Sequence, residues 1–136
     1  MTAPSRVLVN WKGDHTFDAG REGRPMVRID GDGLAGPTPP DSLLIALASC
    51  VSVDIVDILA KRRTPIEKYN VEVLGERVDS IPRRFKHITL NISMTGAGIE
   101  RQHAERAIDL SVNKYCSVKD SLATDIPVVW NLSLNE

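Results

Sequence analysis

The sequence predicts an α+β fold with mainly antiparallel sheets and one long buried central helix. Three observations predict it. Strands follow one another directly instead of alternating with helices, the remaining helices are grouped late in the chain, and one stretch from Thr38 to Lys61 is apolar enough to form the middle of a core. A chain of 136 residues is one domain of ordinary size, so residues 1–136 are read as a single domain.

Arg6 to Trp11 is β-branched and alternating, which predicts a strand; Lys12-Gly13-Asp14 turns into a short second strand from His15 to Asp18. Ala19 to Arg24 is a turn, and Met26 to Asp30 a third strand. Gly31 to Gly36 is glycine-rich. It lacks the Gly-Lys-Ser/Thr ending of a phosphate cradle, so it reads as a loop delivering the chain into the helix.

The helix has clear start signals: Thr38 as N-cap, Pro39 and Pro40 in the first turn, and Asp41 at the positive end of the dipole. From Leu43 to Val51 it is apolar on every side, which predicts burial all round. Beyond Val51 it becomes amphipathic, with Leu44, Leu47, Val51, Ile55 and Ile58 at three- and four-residue steps. Lys61, Arg62 and Arg63 suit its negative end, and Thr64-Pro65 stops it.

Two longer strands follow. Glu67 to Val78 alternates through Tyr69, Val71 and Val73, and Phe85 to Thr95 places Ile88, Leu90, Ile92 and Met94 on one face. A second helix is expected from about Ile99 to Asn113, with Ile99, His103, Ala107, Leu110 and the Ala104, Ile108 row facing inward. Lys114-Tyr115-Cys116 breaks the pattern. Ser117 to Asp120 has the form of a capping box, so a short third helix is expected from Ser117 to near Ala123, and Pro127 to Leu134 is the last strand.

Composition excludes several functions. Net charge is −1 with 26% charged residues, which offers no field for nucleic acid or an anionic membrane. The longest uninterrupted apolar run, Leu43 to Ala48, is too short to span a bilayer, and no signal peptide precedes it; a cytoplasmic location is expected. His15, His87 and His103 are scattered and the two cysteines lie 66 positions apart, so no metal site and no cofactor are expected.

The cysteines carry what chemistry there is. In a reducing compartment they are either unrelated small buried residues or a reactive pair. Cys116 lies just before a helix start, where backbone N–H groups favour a thiolate. Cys50, mid-helix and in apolar surroundings, needs a cation to ionise. Arg21, Arg24 and Arg28 are candidates, against the commoner state of arginine as a surface residue. Asp54 and Asp57 lie on the Cys50 face of the helix, either as its polar stripe or as groups that orient an arginine. Asp41 is nine residues before Cys50, roughly 13 Å along the axis, and can act only by holding an arginine.

The run Gly36-Pro37-Thr38-Pro39-Pro40-Asp41-Ser42-Leu43-Leu44-Ile45-Ala46-Leu47-Ala48-Ser49-Cys50 resembles the entry, acidic residue, apolar helix and cysteine of the OsmC/Ohr family, the osmotically inducible protein C and organic hydroperoxide resistance proteins. Asp54 to Arg63, Glu76-Arg77, Pro82, Phe85-Lys86-His87-Ile88 and Lys114-Tyr115-Cys116-Ser117-Val118 extend the likeness in order, and the Tyr-Cys-Ser-Val motif is most like the OsmC-like branch. The resemblance implies an intertwined homodimer with paired long helices, and thiol-dependent reduction of organic hydroperoxides. It implies Cys50 as the attacking cysteine, Cys116 as the resolving one, and Asp41 in place of a family glutamate. Arg21 is the nearest match to the family arginine, with Arg24 next. An external thiol or dithiol would be the reductant. The rival readings are a non-catalytic redox-responsive or apolar-ligand-binding dimer, and a structural dimer whose cysteines are core residues.

Overall fold

The computed structural model describes residues 2–136. The chain divides into two compact units between Leu43 and Leu44. The first is an antiparallel meander of β1 (Leu8–Trp11), β2 (Thr16–Gly20) and β3 (Val27–Asp30), in that order across the sheet. Its register places Trp11, Phe17 and Ile29 in one cross-strand row, and Val9, Ala19 and Val27 in the next, on the same face. That apolar face is largely open, with Val9 65% and Trp11 68% exposed. On the opposite face Arg28 donates from Nε and Nη2 to the Asp18 carboxylate, at 2.6 and 3.2 Å. Arg28 is therefore committed to its neighbouring strand.

Asp30 ends β3 as a buried carboxylate. It accepts the backbone N–H groups of Ala35 and Asp32 at 2.9 Å and of Leu34 at 3.2 Å, and these hold it below the usual carboxylate range. The glycine-rich loop thus turns its N–H groups inward onto Asp30, which is why it cannot cradle an anion as well.

Helix α1 (Pro39–Lys61) starts as its residues predict. Asp41 N–H donates to Thr38 Oγ1 at 3.2 Å, and Thr38 N–H donates back to Asp41 Oδ2 at 3.1 Å, a reciprocal cap. At the other end Arg63 adopts φ 63° and Thr64 N–H closes onto Leu59 O, which terminates the helix ahead of Pro65.

In the second unit β4 (Lys68–Arg77) pairs antiparallel with β5 (Phe85–Thr95), and β5 pairs parallel with β6 (Val128–Leu134), so β5 is central. The parallel pair is possible because the long connection from β5 to β6 carries α2 (Arg101–Leu110), a π-helical turn (Ser111–Tyr115) and α3 (Ser117–Asp120). The core collects Leu47, Val51, Ile55 and Leu59 of α1, Ile88, Leu90, Ile92 and Met94 of β5, and Ala104, Ala107 and Ile108 of α2. On the outer face of the sheet Asn131 donates to Asn91, and Asn91 to Glu72, in a polar row across all three strands.

Four sequence expectations are corrected. Among the described residues of one chain, helix α1 is buried along one stripe that fills the core, while Ile45 is 54% and Val53 61% exposed. The second helix turns π-helical at Ser111 instead of running on as α-helix to Asn113. The third helix stops at Asp120, short of Ala123. His103 is only half-buried, with Arg62 donating to its Nε2 at 2.9 Å and the Glu100 carboxylate 3.4 Å from its Nδ1. Helix α1 also has the length and apolarity to cross a bilayer, with mean hydropathy 2.3 over an 18-residue window, though the unbroken apolar run within it is short. Its Leu47–Val51–Ile55–Leu59 stripe makes it a core helix.

At Gly75 the sheet leaves no room for a side chain. A Cβ there would lie 2.6 Å from Phe85 Cε1 and 3.0 Å from Leu44 Cδ1. Gly75→Ala is expected to destabilise the protein by about 1–3 kcal/mol through overpacking, lowering the urea midpoint with the m-value unchanged.

Candidate functional site

The site is built where the middle of α1 meets the start of α3. Cys50 is held half-buried on α1, one residue ahead of the buried Val51. Cys116 arrives by a different route. Helix α2 widens into the π turn at Ser111, whose hydroxyl is fully buried and finds no hydrogen-bond partner, and the turn runs to Tyr115. The backbone then straightens at Cys116, with φ −75° and ψ 105°, and restarts as α3 at Ser117.

Cys116 is itself the N-cap of α3: Lys119 N–H donates to its Sγ at 3.3 Å. The capping box expected from Ser117 does not form, because the chain becomes extended one residue earlier than Ser117 would require. Ser117 instead turns its hydroxyl toward Cys50, with Oγ 3.9 Å from Sγ.

The structure brings the two cysteines together, and both thiols are free. The Val118 N–H donates to Cys50 Sγ and lowers its pKa below the ordinary thiol value. Burial opposes this, and the Cys116 thiol, the Ser117 hydroxyl and the Ser117 N–H add to the lowering. Cys116 moves the other way. Burial raises its pKa, and the neighbouring Cys50 sulfur, which accepts its proton, raises it further against the Lys119 and Val118 N–H groups. The pair is therefore divided, with Cys50 the more acidic thiol and Cys116 the less acidic one.

This reverses the sequence expectation for both residues. The α3 start is expected to ionise Cys116, and Cys50 to depend on a cation; instead the Val118 and Ser117 N–H groups lower Cys50, while at Cys116 burial outweighs the Lys119 and Val118 N–H groups. Asp54 and Asp57 are not among the groups that shift Cys50. Arg21 lies on the exposed turn that follows β2, and Arg24 closes that turn by donating its N–H to Arg21 O at 3.1 Å. Asp41 lies in the first turn of α1, engaged with Thr38. Among the described residues no cluster of three or more His, Cys, Asp or Glu is placed to hold a metal.

Sequence reasoning missed Ser117 and Val118 as partners of Cys50. The only available signal was the Cys116-Ser117-Val118 run itself, read for its effect on Cys116.

A family model described as OsmC-like protein matches residues 30–131. The chain is 35% identical over 114 residues to protein YhfA of Escherichia coli strain K12, covering 83% of this chain and 85% of that protein. Its fold is shared with the OsmC-like protein from Mycoplasma pneumoniae, with TM-score 0.83 at 17% identity over the whole of both chains. It is also shared with the organic hydroperoxide resistance protein OhrB of Bacillus subtilis, with TM-score 0.62 at 14% identity over 96% of this chain and 98% of that one. The family match and the solved folds agree with the architecture described above, and the chain belongs to the OsmC-like family.

Proposed function

We propose that this protein is a thiol-dependent peroxidase that reduces organic hydroperoxides, alkyl or lipid, with Cys50 as nucleophile and Cys116 as resolving residue. The observation that carries this reading is the juxtaposition of the two thiols with the acidity divided between them. The name of the Bacillus subtilis relative supports it.

The Cys50 thiolate attacks the outer oxygen of R–O–O–H. The O–O bond breaks, Cys50 becomes a sulfenic acid, and the alkoxide leaves with a proton as the alcohol. The Cys116 sulfur then attacks the Cys50 sulfur. An S–S bond forms, the S–O bond breaks, and the hydroxyl leaves as water with the Cys116 proton. Two equivalents of an external thiol, or one of a dithiol, return both cysteines to thiols and are themselves oxidised to a disulfide. The cycle needs no metal or organic cofactor. A reducing, cytoplasmic compartment would supply the electrons.

Arg21, or Arg24, would add positive charge to the Cys50 thiolate, with Asp41 orienting it. This role rests on the resemblance. The working unit would be a homodimer. The exposed Ile45, Val53 and Val56 stripe of α1, and the open apolar face of the β1–β3 sheet, are the surfaces a second copy would cover.

Three outcomes are expected. First, stoichiometric cumene hydroperoxide should consume both thiols with a two-dalton mass loss, and Cys50→Ser should abolish peroxide consumption; survival of both thiols in excess peroxide ends the reading. Second, carbamidomethylation of Cys50 should reach half its maximal rate below about pH 8.5, the ordinary thiol value. Cys116→Ala removes a donor to the thiolate and should move that midpoint upward, as should Arg21→Ala, while Cys116 in the wild-type protein should react only at higher pH. Third, sedimentation should give a dimer, and Val53→Asp with Val56→Asp should shift it toward monomer by at least tenfold in dissociation constant, the effect of about 1.4 kcal/mol.

A further inference from the structure

A disulfide between Cys50 and Cys116 can be opened at either sulfur, and the surroundings of the two differ. Cys116, although only 4% exposed, lines a polar hollow together with Lys114, Lys119 and Asp120; Cys50 is not among the residues that line it. The Lys114 ammonium lies 5.4 Å from the centre of the Tyr115 ring, another residue of the same lining. With Asp120 offsetting one lysine, the hollow carries one net positive charge on a protein of net charge −1. Cys50 sits on a helix whose neighbours Ser49, Ser52, Val53, Val56 and Asp57 form a separate, mostly apolar groove.

We propose that the reductant attacks the disulfide at Cys116 through this polar hollow, and that Lys114 and Lys119 select thiols bearing a carboxylate. The reductant's thiolate bonds to Cys116 Sγ, the Cys50–Cys116 bond breaks, and the electron pair leaves on Cys50 Sγ. That sulfur is the better leaving group, because the Val118 N–H stabilises its thiolate and lower-pKa thiols leave faster. A second equivalent of thiol attacks the reductant sulfur of the mixed disulfide. It frees Cys116, which takes up a proton, and yields the oxidised reductant as a disulfide. The inference rests on the peroxidase reading only for how the disulfide arises in the cell.

The test therefore makes the disulfide with diamide, without peroxide, on the full chain. The oxidised protein is reacted with 3-mercaptopropionate or 2-mercaptoethanol, quenched with N-ethylmaleimide and mapped by peptide mass. The mixed disulfide should lie on Cys116 and the maleimide on Cys50. In Lys114→Gln with Lys119→Gln, the 3-mercaptopropionate rate should fall roughly fivefold relative to the 2-mercaptoethanol rate, and less so at high salt. Because each thiol is compared with itself across variants, its own pKa cancels, and the 2-mercaptoethanol rate reports that the fold is intact. An adduct on Cys50, an unchanged rate ratio, or no two-dalton loss with diamide overturns the proposal. If diamide closes the bond and the adduct lies on Cys116 while hydroperoxide leaves both thiols intact, the peroxidase reading fails and this inference stands.

Discussion

The hydrogen bond from the Val118 N–H to the Cys50 sulfur is the contact on which the rest of the site depends. A thiol in the middle of a helix, among apolar neighbours, is pushed toward its neutral form by desolvation. Its own helix offers no relief, since every nearby N–H is already bonded within it. Only a second element with unsatisfied N–H groups can reverse the sign, and the start of α3 is such an element. For it to reach α1, the chain must abandon α2, straighten at Cys116 and restart within one residue. The π turn and the extended Cys116 backbone do this. They also fix where the second thiol sits, so one backbone break both lowers the Cys50 pKa and supplies its partner.

That arrangement explains why the two pKa values separate. The N–H groups of Ser117 and Val118 and the Ser117 hydroxyl act on Cys50, whereas Cys116 gains mainly the Lys119 N–H and loses more to burial. When two thiols share a hydrogen bond, whichever has the more external donors becomes the acceptor and holds the other's proton in place. The asymmetry is set by the α3 backbone, with no charged side chain needed to establish its direction.

Much of this was legible in the sequence, and the part that was not has a definite cause. The inward row Ile88, Leu90, Ile92, Met94 follows from alternation alone, and it fills the core as read. Thr38 and Asp41 announced a cap that forms in both directions. The location of Cys116 before a helix start was also readable. The recipient of that helix start was not, because residue order says which side chain is adjacent to an N–H group but not where the N–H points. The π turn was hidden for a similar reason: Ser111 to Tyr115 has no residue that forbids an α-helix, and the widening appears only in packing, where it leaves the Ser111 hydroxyl unpaired.

Helix α1 is the more instructive case. Its unbroken apolar stretch predicts burial on every side, and among the described residues of one chain the Leu47–Val51–Ile55–Leu59 stripe is the part fully buried. Hydrophobicity on all faces records what a segment meets in its working state, and a single chain need not supply all of it. The β1–β3 sheet follows the same logic: its register lines up Trp11, Phe17 and Ile29 beside Val9, Ala19 and Val27 on one face, an arrangement that excludes water only if something lies against it. Two open apolar surfaces on one chain of modest charge are a liability for a monomer, since either alone invites association.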